Sequence, residues 1–317
     1  MTAPLLRIGV RGSPLALAQA REARDRLAAA SPELAAPGAI EIIPIRTTGD
    51  LTQQLPKDQP LTTMGGKGLF TKEIEEALLR GEVDVGVHST KDMVTHLPDG
   101  LLLGGLLPRE DPRDAFFSRS GLKLDDLPAG SVVGTAGIRR QALVLARRPD
   151  LKVVPLRGNV ETRLRKMEEG QVHATLLALA GLKRLGLESR ATEILGIDVM
   201  LPAVAQGAIG LETRAGDERI NRWVSAASCV VTTAEVTAER TMLAVLDGSC
   251  RAPIAGLARL NGTRQMRLEG LVARPDGSQV IRMDISGAAA DAAALGEELG
   301  WRLKEKMPPG FFGTGNT

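Results

Sequence analysis

Tyrosine is absent from this 317-residue chain, and five phenylalanines and two tryptophans are its only other aromatic side chains. The stacking platforms that hold single-stranded nucleic acid are therefore scarce. Cysteine is nearly as rare. Cys229 and Cys250 stand 21 residues apart with no CxxC spacing, which excludes a disulfide framework, argues against zinc and fits a reducing compartment. The three histidines, His88, His96 and His173, show no metal-ligand spacing, so no metal is expected. No stretch approaches the roughly 18 apolar residues that a membrane span requires, and Met1 to Val10 lacks the basic-then-apolar pattern of a secretion leader. A cytoplasmic protein with no membrane partner is expected. A net charge of only +2 speaks against a general nucleic-acid binder.

What is present is a globular composition, 43% hydrophobic and 25% charged, in a chain long enough for two or three domains. The charge is uneven. Between Ser131 and Arg184 there are eleven Lys and Arg against four Asp and Glu, a local +7 that leaves −5 for the remainder. So compact a basic stretch in a near-neutral protein reads as a site for a small anion.

Alternating strand and helix signals run over about two thirds of the chain, the pattern of α/β domains with mainly parallel sheets. Strands are expected at Leu5 to Val10, Ile40 to Arg46, Val83 to Val87, Ser131 to Gly134, Lys152 to Leu156 and Ala174 to Ala178. The intervening helices are expected at Ser13 to Ala30, capped by Ser13 with Pro14 at the first helical position, and at Thr71 to Arg80, Ile138 to Arg148 and Val160 to Glu169. Pro- and Gly-rich junctions at Leu106 to Pro112 and Leu201 to Gly207 predict two crossings between lobes, hence a hinged cleft. The last ninety or so residues change character: a helix from about Thr233 to Leu246, strands turning at Asn261-Gly262 and Pro275-Asp276-Gly277, and a helix from about Ala289 to Lys306. They predict a separate α+β domain.

Candidate chemistry starts at Cys250. In Asp247-Gly248-Ser249-Cys250-Arg251 a thiol sits on a small-residue loop beside an arginine that favours the thiolate, a placement suited to covalent attachment. Arg11-Gly12-Ser13 before a helix offers a cation, a hydroxyl and free backbone N–H groups to a carboxylate, although Ser13 serves equally as a plain N-cap. Gly65-Gly66-Lys67-Gly68 lacks P-loop spacing but can still nest an anion beside Lys67. Lys91-Asp92 follows a buried strand, where a carboxylate can stabilise a cation forming on a substrate; as a bare dipeptide it reads more readily as a surface ion pair. Arg139-Arg140 opens a helix, where the dipole disfavours cations, so an anion partner is expected. Arg157 follows a strand, Arg163 and Arg184 are expected to begin later helices, and guanidinium groups suit bidentate carboxylate binding. Arg147, Arg148, Arg165 and Lys166 read as solvated helix faces. A Cys/His hydrolase, an anion-binding sensor and a nucleic-acid binder stay open on these features alone.

Taken together, the runs Arg11-Gly12-Ser13-Pro14-Leu15-Ala16, Gly65 to Phe70, His88-Ser89-Thr90-Lys91-Asp92, Arg109 to Ala115, Ile138-Arg139-Arg140-Gln141, Leu156 to Val160, Ala180 to Leu185 and Gln206-Gly207-Ala208 closely resemble, in order, those of the porphobilinogen deaminase (hydroxymethylbilane synthase) family. The resemblance implies two lobes like those of periplasmic anion-binding proteins joined by a double hinge, with residues 1–107 and 208–226 as the first, 108–207 as the second, and a third domain at 227–317. It implies a dipyrromethane cofactor bound through a thioether to Cys250, the substrate porphobilinogen, and a monomer. It assigns Asp92 as the catalytic carboxylate; Ser13, Lys91, Asp92, Arg139, Arg140, Arg157, Arg163 and Arg184 as cofactor-binding; and Arg11, Ser13, Lys67, Arg157, Arg163 and Gln206 as substrate-binding. Thr135-Ala136-Gly137 replaces a Thr-Ser-Ser run, and Ala205 stands where glycine is usual.

Overall fold

The computed structural model describes residues 4–48, 70–246, 252–262 and 264–312. The chain begins with β1 (Leu6–Arg11), α1 (Pro14–Ala30), β2 (Ile40–Ile45), α2 (Lys72–Leu79), β3 (Val85–Ser89) and β4 (Leu101–Leu106). After Glu110 it enters a second unit with β5 (Asp114–Ser118), β6 (Val132–Gly134), α3 (Ile138–Arg147), β7 (Lys152–Val154), α4 (Val160–Glu168), β8 (Ala174–Ala178), α5 (Leu179–Arg184) and β9 (Glu193–Ile194). It returns to the first unit at Ala208 for β10 (Ile209–Arg214) and α6 (Glu218–Ala227), and leaves it again inside α7 (Val230–Val245). The C-terminal part holds β11 (Ile254–Leu260), β12 (Gln265–Ala273), β13 (Val280–Ala288) and α8 (Ala292–Lys306).

The first unit is built on a sheet of order β2-β1-β3-β10-β4. β1 pairs in parallel with β2 and β3, whereas β10 runs antiparallel to both β3 and β4. β2 is an edge strand, which is why Pro44, lacking an N–H, is tolerated inside it. Ser13 and Pro14 start α1 as expected, and Ala16, Ala20, Ala23 and Leu27 form its buried stripe at helical spacing. That stripe packs on Leu6, Ile8, Val10, Val85 and Val87 in one core. Each such aliphatic side chain contributes about 1.5–3 kcal/mol by burial.

The second unit repeats the arrangement with the order β7-β6-β8-β5-β9, parallel at β6-β7 and β6-β8 and antiparallel on both sides of β5. Its core is continuous with the C-terminal three-stranded sheet: Phe116, Val133, Leu143 and Leu176 pack with Ala255, Leu257, Leu271 and Ala273. The C-terminal part thus has its own sheet, as expected, yet shares a hydrophobic core with the second α/β sheet. The turn after β12 also rests on α3. Gly277, at φ 75°, comes so close that a Cβ there would lie 2.4 Å from the Ala146 amide nitrogen, and Gln141 donates to the Pro275 carbonyl at 3.2 Å.

Candidate functional site

At the C-terminal ends of β1 and β3 the first unit has a crevice of about 30 Å³, whose wall includes Arg11, Gln19, Phe70, His88, Ser89 and Asp92. Functional groups collect at such strand ends in open α/β sheets. Arg11 is the last residue of β1, and its guanidinium lies over the Phe70 ring at 4.3 Å from the centroid, a cation–π contact that holds it in place. Ser13 accepts a long 3.4 Å hydrogen bond from Ala16 N as cap of α1. Lys91 and Asp92 lie in a single 3-10 turn, Thr90–Asp92, directly after β3. Thr90 ties that turn to the return crossing, donating through both N and Oγ1 to the Ala208 carbonyl at 3.1 Å. Asp92 is exposed on the crevice wall.

One residue of this site carries no signal in a local motif. Gln19 is buried on α1, where its amide donates to Ser89 Oγ at 2.8 Å and accepts from it at 3.2 Å. The signal that could have found it is a polar residue on the buried stripe, one position before Ala20. The bond fixes Ser89 at the mouth of β3.

In the second unit the arginines divide into two kinds. Arg139 and Arg140, in the first turn of α3, are both 7% exposed and share the carboxylate of Asp114, itself 0% exposed. Arg139 Nη2 reaches Asp114 Oδ2 at 2.7 Å and Arg140 Nη2 reaches Oδ1 at 2.6 Å. The anion expected opposite this pair is thus supplied by the chain itself at the first residue of β5. Burial would raise the Asp114 carboxyl, but the fields and hydrogen bonds of the two guanidiniums outweigh it and hold it well below the ordinary carboxylate range. Arg140 Nε also donates to Asp114 Oδ1 at 3.1 Å, and the pair donates further to the Leu201 and Leu176 carbonyls. Gln206 belongs to the same cluster: 1% exposed, it donates to the Pro112 carbonyl at 2.7 Å and to Asp114 Oδ1 at 3.0 Å.

Arg157, Arg163 and Arg184 are half-buried. Asn159 caps α4, accepting from Thr162 N at 2.8 Å, while Arg163 donates to the Gly158 carbonyl at 2.7 Å and Lys166 to that of Arg157 at 2.8 Å. The loop bearing Arg157 is thereby fastened to the helix that follows. Arg184 ends α5 instead of beginning a helix, a position the dipole favours for a cation, and donates to the Gly207 carbonyl at 3.2 Å. Arg147 pairs at the surface with Asp125 and Arg165 with Glu169, as expected of solvated helix faces, whereas Arg148, its side chain only 17% exposed, pairs with Asp150 and donates to the Leu124, Asp125 and Leu127 carbonyls. Cys250 and Lys67 lie outside the described residues.

Residues 6–222 match the family model described as porphobilinogen deaminase, dipyromethane cofactor binding domain, and residues 233–305 match that of the porphobilinogen deaminase C-terminal domain. Curated relatives named porphobilinogen deaminase include those of Nitrobacter hamburgensis, 57% identical over 97% of this chain and 95% of the relative, and Paracoccus denitrificans, 54% identical over 97% and 96%. The chloroplastic porphobilinogen deaminase of Oryza sativa is 53% identical over 97% of this chain and 86% of its own. Among solved structures, a periplasmic binding protein from Brucella ovis with glutathione bound aligns with a TM-score of 0.42 at 16% identity, covering 76% of this chain and 68% of that one.

Proposed function

The chain belongs to the porphobilinogen deaminase family, and from that membership we propose that it condenses four porphobilinogen molecules stepwise, releasing one ammonia per addition, and then frees the linear 1-hydroxymethylbilane by hydrolysis. In this reading Cys250 carries a dipyrromethane as a thioether. The residues present suit such a group, because its carboxylates call for guanidinium and ammonium donors and the chain offers Lys91 beside Asp92 and the half-buried Arg157, Arg163 and Arg184. When bound, the dipyrromethane supplies the pyrrole carbon at which condensation begins.

The observation that carries the reading is the crevice in which Asp92 and Arg11 share a wall. Arg11 meets a substrate carboxylate, with Ser13 two residues on, and Lys67, three residues before Phe70, adding donors. Asp92, turned to the substrate's pyrrole N–H, stabilises the cation left on the substrate when the C–N bond breaks and the electron pair leaves with ammonia. Holding the two partners together lowers the remaining barrier to carbon–carbon bond formation. Arg139 and Arg140, with Asp114 neutralising one of their two charges, contribute one net positive charge at the start of α3. Gln206 in this account holds Asp114 rather than touching substrate. The reading also carries a three-domain division near residues 107, 207 and 226, a cytoplasmic location and a monomeric state. Incubation with porphobilinogen tests the function directly: one ammonia per pyrrole consumed supports it, and an unchanged porphobilinogen concentration overturns it.

A further inference from the structure

Three ionisable side chains are buried beside the crevice and have no part in the reaction as described so far: His88 at 5% exposure, Glu75 at 7% and Glu212 at 0%. They come from three elements. β3 and β10 pair antiparallel with His88 opposite Gly210 and Glu212 opposite Gly86, so His88 and Glu212 stand diagonally on one face of the sheet. Gly86 makes room for the ring, since a Cβ there would come within 2.8 Å of His88 Nε2 and 2.9 Å of Ile74 on α2. Glu75 belongs to that same helix.

His88 Nε2 approaches Glu212 Oε2 to 2.9 Å, but off the line an N–H donor needs, so neither Nε2 nor either Glu212 oxygen has a well-formed hydrogen bond. Glu75 Oε1 is also buried without a hydrogen-bond partner. Burial, opposed by Thr71 and reinforced by the neighbouring Glu212 carboxylate, pushes the Glu75 carboxyl up. The charged or titratable groups facing His88 are thus Glu212 from β10, Glu75 from α2, and Arg11 and Asp92 in the crevice wall that His88 shares. A fold gains nothing from leaving such groups underbonded in its interior, and clusters of this kind at a cleft mark functional sites.

The chemistry proposed above needs a base. Each addition breaks a C–N bond, whose electron pair leaves with ammonia, and forms a C–C bond with an electron pair of the acceptor pyrrole. The acceptor's α-carbon must then lose its proton as the C–H pair returns to the ring. Asp92 is already committed as counter-charge to the cation. Resting on that reading of the function, we propose that His88, oriented by Glu212, accepts this α-carbon proton as a neutral imidazole, and that the resulting imidazolium is held by the Glu212 carboxylate.

The test uses cofactor-loaded protein and porphobilinogen deuterated at its free α-carbon. His88→Gln is expected to keep the cofactor by intact mass, to lower kcat about 100-fold with KM little changed, and to raise the deuterium isotope effect on kcat, because proton removal becomes the slow step. Glu212→Gln is expected to act in the same direction by about tenfold and to shift the His88 ring nitrogen resonances in the NMR spectrum. A cofactor-bearing His88→Gln protein with the wild-type isotope effect overturns the inference. Should that variant not fold, an unchanged isotope effect with unchanged ring resonances in Glu212→Gln overturns it instead. Absence of turnover in the wild type overturns the functional reading itself, and is thereby told apart from failure of this inference alone.

Discussion

Glu239 Oε2 accepts a 2.6 Å hydrogen bond from the backbone N–H of Ala205, a residue held at φ 59°. The other carboxylate oxygen accepts from Ala258 N at 2.8 Å, so one buried side chain on α7 binds β11 to the segment just before the return crossing at Ala208. Left-handed backbone costs a non-glycine residue roughly 1–2 kcal/mol, and the Glu239 carboxylate helps to hold it. Glycine at 205 would relieve that strain while giving back about 0.4–1 kcal/mol through the freer unfolded chain. Ala205→Gly is therefore expected to stabilise the protein by about 0.5–1 kcal/mol, read as a higher urea midpoint. Glu239→Ala is expected to cost about 1.5–3 kcal/mol.

Asp114 is predicted to be far more sensitive. Asp114→Asn leaves two buried guanidiniums without their counter-charge and should destabilise by about 3–5 kcal/mol. The pH dependence has a defined sign. Because the folded carboxyl lies below its ordinary value of 3.8, its contribution is present above that value and is lost as pH falls below it toward the lowered one. Acid titration of unfolding should thus cost the wild type more stability than the Asn variant; parallel acid curves would contradict this.

Gly277→Ala places a methyl group against the backbone of α3 at Ala142 and Ala146 in a conformation that alanine resists. A loss of about 1–3 kcal/mol is expected, measurable as a lower thermal midpoint, whereas alanine at the exposed Gly121, which meets no neighbour within 4 Å, should cost only its backbone strain.

The sequence made the parallel half of each sheet legible and hid the antiparallel half. β1, β2, β3, β6, β7 and β8 sit in strand–helix alternation bounded by caps such as Ser13. β4, β5, β9 and β10 lie at or near the crossings, where Leu-Gly-Gly and Pro-rich stretches read as junctions, and β5 and β10 are buried along nearly their whole length and so lack alternation. The site divides similarly. Arg11, Lys91 and Asp92 stood out because each sits in a local motif. Asp114, Gln19 and Glu212 did not, since their meaning depends on partners 25 to 124 residues away. Arg139 and Arg140 at a helix start call for an anion, but spacing alone does not show that Asp114 provides one.

Asp92→Ala is expected to leave the cofactor attached and the fold intact while porphobilinogen turnover falls by about 100-fold or more, the scale seen when one preorganised electrostatic contact is lost. Normal turnover in that variant would remove Asp92 from the mechanism.

Intact mass after incubation with porphobilinogen shows whether the chain works from a dipyrromethane bound to Cys250. An excess on the wild type equal to two linked pyrrole units, absent from Cys250→Ser, is expected. The bare polypeptide mass in both proteins, or the same excess in both, would contradict it.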